Sequence, residues 1–564
     1  MYREFIPKSY LYLRSGYSTG TLKKDLIAGI TIGVIALPLA MAFAIASNAS
    51  PEQGLITAII AGFLISAFGG SRVQIGGPTA AFVGLVYSII QRNGYEALAT
   101  SMLIAAVLLV LFGLFRLGSW IKYVPHPLVM GFTTGIALII FSTQIKDLFG
   151  LDMGTPPADF VAKWRAYALA LPSLHWPTAT LGGGSLITIL FIRKYMPKLP
   201  WGIAAIVLAT LCVYFLQLPV ETIHSKFGQI PSRLPFPSFP HLGIPAGKFT
   251  EVFMDGVAIA FLAGIESLLS AVIGDGMIGG RHRSNCELIG QGIANFGSLL
   301  FGGLPATGAI ARTAANVKTG AQTPVAGMIH ALTLLLIVYF LAPIVSQIPL
   351  AALSAVLIVV AWNIGEFRHF FHLFRAPMGD VAILLTAFLL TVFVDITAAI
   401  SLGMILSSFL FMKRMSQFSK TVPLTTAFHE PSVEFPDRSD PEGINHKTVP
   451  PGVEVYEIQG PFFYGAADML KDLLSDLELP PKVFILRLRN ALFIDASGMN
   501  ALLEFSQKCS REKTILILCE IHGQTSKDFK RFGLIETIGK DRIFKTIDEA
   551  LREANHLNAR SLSP

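Results

Sequence analysis

The residues best placed to bind a ligand lie where two apolar segments are interrupted by Gly and Pro. One segment reads Phe301-Gly302-Gly303-Leu304-Pro305-Ala306-Thr307-Gly308-Ala309-Ile310-Ala311-Arg312-Thr313, and residues 68–82 repeat its order of Phe-Gly-Gly, Pro, hydroxyl residue and apolar helix. Within hydrocarbon, an interrupted helix is tolerated only where its backbone is buried in protein or lines a cavity. Paired interruptions in two halves of a chain indicate a binding site near the bilayer midplane.

These interruptions favour an anion as the ligand. Two helix N-termini that face each other offer unpaired N–H groups and the positive ends of two dipoles. Arg312 adds a cation within a span, although pairing with a nearby acid or snorkelling would also explain it. Hydroxyl groups could donate to the anion or cap their own helices. We predict that the substrate site comprises Pro78, Thr79, Ala80, Thr307, Gly308, Ala309, Arg312 and, from the first span, Phe43.

Glu266 is the most informative acidic residue, because it lies in the middle of a span about one helical turn from Ser270. A carboxylate facing an anion site repels the substrate unless it takes up a proton or a cation. Burial disfavours the charged form, so a proton is the simpler choice. The alternatives are a sodium site that includes Ser270, and a permanent Glu266–Arg312 ion pair that only stabilises the core.

Composition identifies the larger class of protein. Of the 564 residues, 52% are hydrophobic and 14% charged, and the mean hydropathy is +0.59, which is typical of a polytopic membrane protein. The apolar character ends near Met412. The net charge of +7 comes largely from loops that flank apolar spans, so it reflects topology and not a nucleic-acid partner. The N-terminus lacks the pattern of a cleaved signal peptide.

The sequence offers no enzyme motif and no cofactor site. There is no nucleophile–base motif, phosphate loop or metal-ligand spacing. We expect no cofactor beyond a coupling ion, which would be H⁺ or alternatively Na⁺. Four cysteines lack paired spacing and are expected to be free thiols in a reducing compartment: Cys212, Cys286, Cys509 and Cys519.

The apolar segments divide into fourteen predicted spans, arranged as a seven-plus-seven inverted repeat. An odd-numbered repeat inserts its second copy upside down, and the interrupted spans are then the third and the tenth. Basic residues in the short loops predict that both termini are cytoplasmic. Asp395 marks the turn between the last two spans. The spans are predicted near residues 26–47, 54–69, 77–91, 96–115, 124–143, 180–195, 201–218, 253–275, 286–301, 305–317, 324–343, 349–364, 379–394 and 396–412.

Three parts are predicted: a membrane domain over residues 1–415, a linker over 416–450 and a small α/β domain over 451–564. In the last part, short apolar strands alternate with helices. Ser497 stands at the start of a helix, where its pattern favours an N-cap. The predicted strands are Val453–Ile458, Val483–Leu488 and Ile515–Cys519, and the predicted helices are Ala466–Leu477, Ser497–Lys508, Ser526–Phe532 and Ile547–Ala554.

Taken together, the sequence resembles the SulP (sulfate permease) anion transporters with a C-terminal STAS domain, over nearly its whole length. The resemblance extends to a STAS signature that includes Asp495, Ser497 and Gly498. It rests on the motifs Asp25-Leu26-Ile27-Ala28-Gly29, Pro38 to Leu55, Gly76-Gly77-Pro78-Thr79, Gly264-Ile265-Glu266-Ser267-Leu268-Leu269, Arg312-Thr313-Ala314-Ala315-Asn316 and Phe493-Ile494-Asp495-Ala496-Ser497-Gly498.

The resemblance implies a core of spans 1–4 and 8–11 that moves against a gate of spans 5–7 and 12–14, an elevator-type motion, and a homodimer in a bacterial inner membrane with a cytoplasmic STAS domain. The residues 37–42 and 361–363 are most similar to bacterial proton-coupled dicarboxylate transporters. Two departures argue against a preference for sulfate. Leu39 replaces a Gln common in sulfate transporters, and Ala309 and Ala311 stand where many have Ser.

Three hypotheses follow for function. The first is a proton-coupled secondary transporter of a small anion of the dicarboxylate, sulfate or bicarbonate class, with Arg312 at the anion and Glu266 carrying the proton. The second is sodium-coupled bicarbonate uptake. The third is a membrane-anchored anion sensor that signals through the STAS domain, although a receptor needs no inverted symmetry. The expected partners are the anion, membrane lipid and a second copy of the chain, with no nucleic acid.

Overall fold

The computed structural model places the described residues in two compact units, Met1–Ser407 and Ser408–Pro564. The residues that the structure describes are 2–14, 16–119, 124–157, 159–196, 199–244, 247–417, 420–423, 447–463, 470, 480–521 and 523–560.

The first unit is almost entirely helical. Its first half contains helices α1 Lys8–Arg14, α2 Thr19–Ala46, α3 Pro51–Phe68, α4 Val83–Leu114, α5 His126–Thr143, α6 Ile145–Phe149, α7 Phe160–Ala170, α8 Trp176–Tyr195, α9 Trp201–Leu216 and α10 Ile223–Phe227. Its second half contains α11 Phe249–Ile278, α12 Ser284–Leu300, α13 Ile310–Lys318, α14 Val325–Val345, α15 Leu350–Ile364, α16 Phe367–His372 and α17 Met378–Phe393. Helix α18 Ile396–Gln417 begins in this unit and continues past its last residue, Ser407.

Helix boundaries follow local signals in the sequence. Ser50 and Gln53 form a capping box at the start of α3, and Pro51 occupies the first turn, where a missing N–H costs nothing. Gly94 has φ of 77° within α4, so this long helix is two predicted spans joined by a kink. The predicted turn at Asp395 is confirmed, because α17 ends at Phe393 and α18 begins at Ile396.

Helix length and apolar composition indicate which helices could cross a membrane. Among the described residues, eight helices are long and apolar enough to cross a membrane by length and composition. The count of fourteen remains a prediction. Some spans are shorter than that criterion, because they begin at the interruption, as α13 does, or end early, as α9 and α17 do.

The long helices pack in two groups. In one group, α2, α3, α4, α11, α12 and α14 contact one another extensively, and α13 joins them through α11 and α2. In the other group, α5 packs on α17 and α15, and α8 packs on α15 and α9. Small residues allow close approach, since a Cβ at Gly54 of α3 would lie 2.1 Å from the carbonyl oxygen of Ala40 on α2.

The second unit contains a sheet with apolar clusters on both faces. Its strands are β3 Lys420–Pro423, β4 Val453–Phe462, β5 Val483–Arg487, β6 Ala491–Ile494, β7 Ile515–Cys519 and β8 Ile543–Phe544. Its helices are α19 Ala496–Arg511, α20 Gly523–Phe532, α21 Leu534–Ile538 and α22 Ile547–Arg560. The strand order is β3-β4-β5-β7-β8, with β6 beside β4, and every pairing is parallel except β3–β4.

This unit bears out its sequence pattern. Phe484 and Phe505 belong to one buried cluster, and Ile485 and Leu551 belong to another. Because successive strand side chains point to opposite faces, Phe484 and Ile485 mark the two faces of the sheet. The three predicted strands are present. The helix predicted over Ala466–Leu477 and most of the predicted linker lie outside the described residues.

Candidate functional site

The two interrupted segments meet in the middle of the first unit. Two short strands, β1 Gly76–Gly77 and β2 Thr307–Gly308, pair antiparallel, with Gly76 opposite Gly308. One hydrogen bond extends the pairing, from Ala309 N–H to the carbonyl oxygen of Ile75 at 2.8 Å. A 3₁₀ turn over Ala80–Phe82 leads into α4, and α13 begins at Ile310. Both helices therefore begin beside this pairing, which we call the crossing.

Glycine is required at the crossing by the closeness of its neighbours. A Cβ at Gly308 would lie 1.5 Å from Nε2 of Gln74, and one at Gly76 would lie 2.2 Å from Cδ1 of Ile65. Gly77 has φ of +142°, and a Cβ there would lie 3.0 Å from Nη1 of Arg312. The interrupted backbone is thus packed in protein, as a polar backbone at membrane depth requires.

Arg312 reaches from α13 to the other interrupted segment. Its side chain is 4% exposed, and Nη2 donates to the carbonyl oxygen of Pro78. Nη1 has no hydrogen-bond partner in the described part of the chain. Burying a guanidinium with unused donors is costly unless an anion or water completes its hydrogen bonds. Arg312 therefore has capacity to bind an anion at the crossing.

The hydroxyl groups at the crossing differ in their availability. Thr79 is 8% exposed, its Oγ1 has no partner among the described atoms, and it makes no capping hydrogen bond. The capping explanation is therefore wrong for Thr79. Thr307 Oγ1 instead donates to the carbonyl oxygen of Ala263 at 2.8 Å. Ala80 and Ala309 are buried beside them and add no side-chain donor.

Glu266 lies on α11 and is 8% exposed. No ion pair within 4.0 Å joins its carboxylate to Arg312 or to another described cation, so the alternative of a structural Glu266–Arg312 pair is wrong. The Ser270 hydroxyl bonds to Thr313 Oγ1 at 2.8 Å, and Thr313 Oγ1 also accepts from the Ile75 N–H at 3.1 Å. Ser270 therefore ties α11 to the crossing through Thr313.

Sequence reasoning missed three buried polar residues near the crossing. Gln74 donates to the carbonyl oxygen of Ser267 at 3.3 Å, and Asn316 donates to that of Val73 at 2.8 Å. His330 is fully buried on α14, and neither ring nitrogen has a partner in the described part of the chain. The sequence signal that could have identified these residues is a polar side chain inside an apolar segment. Asn316 also lies four residues after Arg312, on the same side of a helix.

Two other features lie away from these contacts. Phe43 is buried in α2, and its burial does not by itself bring its ring to the crossing. A cavity of about 240 Å³ lies elsewhere, beside the first part of α4, and its lining contains none of the predicted substrate residues. Charges of both signs line it: Arg92, Asp159, Lys163 and Asp395. The predicted substrate residues therefore lie outside this cavity.

The STAS signature residues form a helix start in the second unit. Asp495 is the N-cap of α19, since its Oδ1 accepts from the Gly498 N–H at 2.8 Å. The prediction that Ser497 caps this helix is wrong, because Ser497 lies inside the first turn and is exposed. A Cβ at Gly498 would lie 2.6 Å from the Phe462 carbonyl oxygen. Ser497 is thus held on the surface of the first turn.

The chain matches two family models. Residues 22–387 match the sulfate permease family, and residues 446–550 match the STAS domain. The chain is 39% identical over 546 residues to the protein named "Putative sulfate transporter YvdB" of Bacillus subtilis, which covers 95% of this chain and 98% of that protein. It is 25% identical over 559 residues to the bicarbonate transporter BicA of Picosynechococcus, covering 94% of each.

Solved structures agree with this match. The murine Solute Carrier 26 family member A9 anion transporter in the inward-facing state has a TM-score of 0.84 at 18% identity, covering 98% of this chain and 94% of that one, which shows a shared fold. The transmembrane domain of a cyanobacterium bicarbonate transporter BicA has a TM-score of 0.60 at 29% identity, covering 67% of this chain and 97% of that one. The chain therefore has the fold of a helical membrane protein with a C-terminal STAS domain.

Proposed function

Because this chain belongs to the sulfate permease family, we propose that it is a secondary active transporter that moves a small anion across a membrane. The chain is not an enzyme. The observation that carries the proposal is the pair of unused donors at the crossing, Arg312 Nη1 and Thr79 Oγ1, buried between two helix starts. Helix N-termini and a guanidinium together form an anion site.

The proposed substrate is a small oxygen anion. YvdB is named for sulfate and BicA for bicarbonate, and both carry oxygen anions. Ala309 and Ala311 stand beside the start of α13 and supply no side-chain donor. Fewer side-chain donors disfavour sulfate, which concentrates two charges on one small group, more than bicarbonate, with one charge, or a dicarboxylate, whose two charges are separated. We therefore rank dicarboxylates and bicarbonate above sulfate.

We further propose alternating access by an elevator-type motion. The group built around α2, α3, α4 and α14 would carry the crossing, and the group built around α5 and α17 would form the gate. Two internally packed groups can move as bodies, because their internal contacts are kept during the motion. We expect a homodimer in the cytoplasmic membrane of a bacterium, with the N-terminus and the STAS domain on the cytoplasmic side, where the short basic loops lie.

Glu266 is proposed as the proton carrier. Its carboxylate is buried and has no described cation partner, and both conditions favour uptake of a proton. An arriving anion would favour that uptake further by like-charge repulsion. Binding of proton and anion would then be mutually favourable, which is the thermodynamic requirement for coupling.

The test is uptake into proteoliposomes of labelled sulfate, bicarbonate, succinate and fumarate, each under an imposed proton or sodium gradient. We expect concentrative uptake of at least one anion, with initial rates that rise as external pH falls. If none of these anions accumulates under either gradient, the assignment as a coupled transporter fails.

The matching variant is Glu266→Gln, which mimics the protonated acid. We expect it to bind and exchange substrate but to lose accumulation under a pH gradient. Glu251→Gln is the control. Glu251 lies in the first turn of the same helix, α11, and forms an ion pair with Arg92 at 2.8 Å. Full accumulation by Glu266→Gln would assign the proton to another group.

Sodium-coupled bicarbonate transport is the second candidate, favoured by the 29% identity with the BicA transmembrane domain. In that case uptake follows a sodium gradient at constant pH, and Glu266→Gln removes the sodium dependence. A sensor that signals through the STAS domain predicts anion binding without any flux, so the same vesicles distinguish all three functions.

A further inference from the structure

The N-terminal segment packs on the end of α3 and on the start of the first interrupted segment, residues 68–82. The Lys8 N–H donates to the Gly69 carbonyl oxygen at 3.2 Å, and the Ser9 hydroxyl donates to that of Ala67. Arg283, which precedes α12, donates from Nη1 to the Ile6 carbonyl oxygen at 2.6 Å. Helix α1 is therefore held against the ends of α3 and α12.

Three cations converge at this contact: Lys8, Arg72 and Arg283. Arg72 stacks over the ring of Tyr12, with its guanidinium carbon 5.0 Å from the ring centre. Burial and the nearby Arg283 lower the pKa of Lys8, and Arg72 lowers it further. None of the three lies within 4.0 Å of a described carboxylate. Like charges held together without a counterion favour binding of an anion.

The nearby acids already have partners. Asp275 accepts from the His282 N–H and lies 2.7 Å from its Nδ1. Glu287 accepts from the N–H groups of Gly70 at 2.8 Å and Ser71 at 3.0 Å. These carboxylates hold the loop in place and form no ion pair within 4.0 Å with the three cations, although the charge of Asp275 partly opposes the lowering of the Lys8 pKa.

The surroundings of the cluster resemble a membrane interface. On α1, Tyr10 and Leu13 are 51% and 56% exposed, and in the first turns of α2, Leu22, Leu26 and Ile27 are also exposed. Apolar side chains beside cations, at the end of a membrane helix, are typical of the headgroup region. A ligand here would bear an anionic oxygen group and an apolar portion.

We propose that Lys8, Arg72 and Arg283 bind the phosphate of an anionic phospholipid. The Arg72 Nε–H also donates to the Gln322 carbonyl oxygen, in the loop that follows α13. Through Arg72, the bound phosphate therefore stabilises the segment that follows α3 and the loop that follows α13. Anionic lipid stabilises the first unit and supports transport without touching the substrate site.

The test titrates short-chain phosphatidylglycerol into the purified full-length protein in detergent and follows the thermal unfolding temperature. We expect a saturable rise. The triple variant Lys8→Gln, Arg72→Gln, Arg283→Gln should need about 100-fold more lipid for half the effect, since each of the three cations near an anionic headgroup contributes roughly a factor of five. The matched control is Arg14→Gln, Lys23→Gln, Lys24→Gln, which removes the same charge from exposed positions on α1 and α2 and should retain the half-saturating concentration.

Three outcomes overturn the proposal. These are an equal response to phosphatidylcholine, an equal loss in both triple variants, and an equal rise with inorganic phosphate alone, which would indicate a free-anion site. Uptake in vesicles of phosphatidylcholine with and without phosphatidylglycerol is the second measurement. If the cluster variant transports normally in phosphatidylcholine yet loses its stimulation by phosphatidylglycerol, the lipid site and the substrate site are separate.

Discussion

The two interrupted segments share a backbone plan but differ in the side chains they supply. Each has a glycine pair or near-pair, a proline and then a helix start, and each contributes one strand to the crossing. The first segment offers mainly backbone: the carbonyl oxygens of Val73 and Pro78 and the N–H of Ile75. The second segment supplies the side chains that bind these groups, from Arg312, Thr313 and Asn316.

This difference shows what the two interrupted segments do and do not share. Backbone geometry is repeated because both segments must satisfy polar groups at membrane depth. A single anion needs one cation, and a second buried guanidinium would add a large desolvation cost. Among the described residues at the crossing, the cation Arg312 therefore comes from one segment, and the unpartnered hydroxyl of Thr79 comes from the other.

The strongest test of this asymmetry removes the charged side. Arg312→Ala should weaken anion binding by about 10- to 100-fold, because a hydrogen bond to a charged group contributes about 1.5–3 kcal/mol and the helix dipoles supply only about 1 kcal/mol each. The measurement is substrate affinity by isothermal titration in detergent. Arg312→Lys keeps the charge but not the bidentate geometry, so its substrate affinity should lie between that of the wild type and that of Arg312→Ala. Unchanged affinity in Arg312→Ala would show that Arg312 does not bind the anion and would remove the proposed asymmetry.

A second test examines the shared backbone plan. Gly308→Ala places a methyl group 1.5 Å from the Gln74 side chain, so Gln74 must leave its bond to Ser267. We expect a loss of transport rate of about tenfold with a lower unfolding temperature, consistent with an overpacking cost of about 1–3 kcal/mol. Gly183→Ala on α8 is the control, since a Cβ there meets nothing within 4 Å. Equal effects of the two substitutions would mean that the crossing tolerates a side chain.

The smallest expected effects come from replacing Thr79 or Thr307 with valine. Thr79→Val removes an unpartnered hydroxyl, so affinity should fall by roughly fivefold while stability stays level or rises. Thr307→Val instead removes a donor from the buried Ala263 carbonyl and should cost about 1–3 kcal/mol of stability, with little change in affinity. Affinity and unfolding temperature are measured for both variants. Thr79→Val should lower the affinity but not the unfolding temperature, and Thr307→Val should lower the unfolding temperature with little change in affinity. The reverse pattern would assign the substrate contact to Thr307.

Much of the fold could be predicted from local pattern. Apolar run length located the helices, and short alternating strands located β4, β5 and β7, because burial in lipid or in a sheet imposes its own periodicity on the sequence. The interruption at residues 68–82 was visible for the same reason. The capping role at α19 was misplaced by two residues, since Asp495 and Ser497 are both good caps and only backbone geometry selects one.

The sequence by itself determined which side chains are unusual for their setting: a cation, a carboxylate and glycines inside apolar segments, since each costs free energy there and so stands out. Only the tertiary structure decided which of them bind each other. Arg312 binds the Pro78 carbonyl and not Glu266, and Thr307 is occupied while Thr79 is free. Hydrogen bonds depend on positions within a few tenths of an ångström between residues more than 200 apart in the chain, and no local pattern encodes such distances.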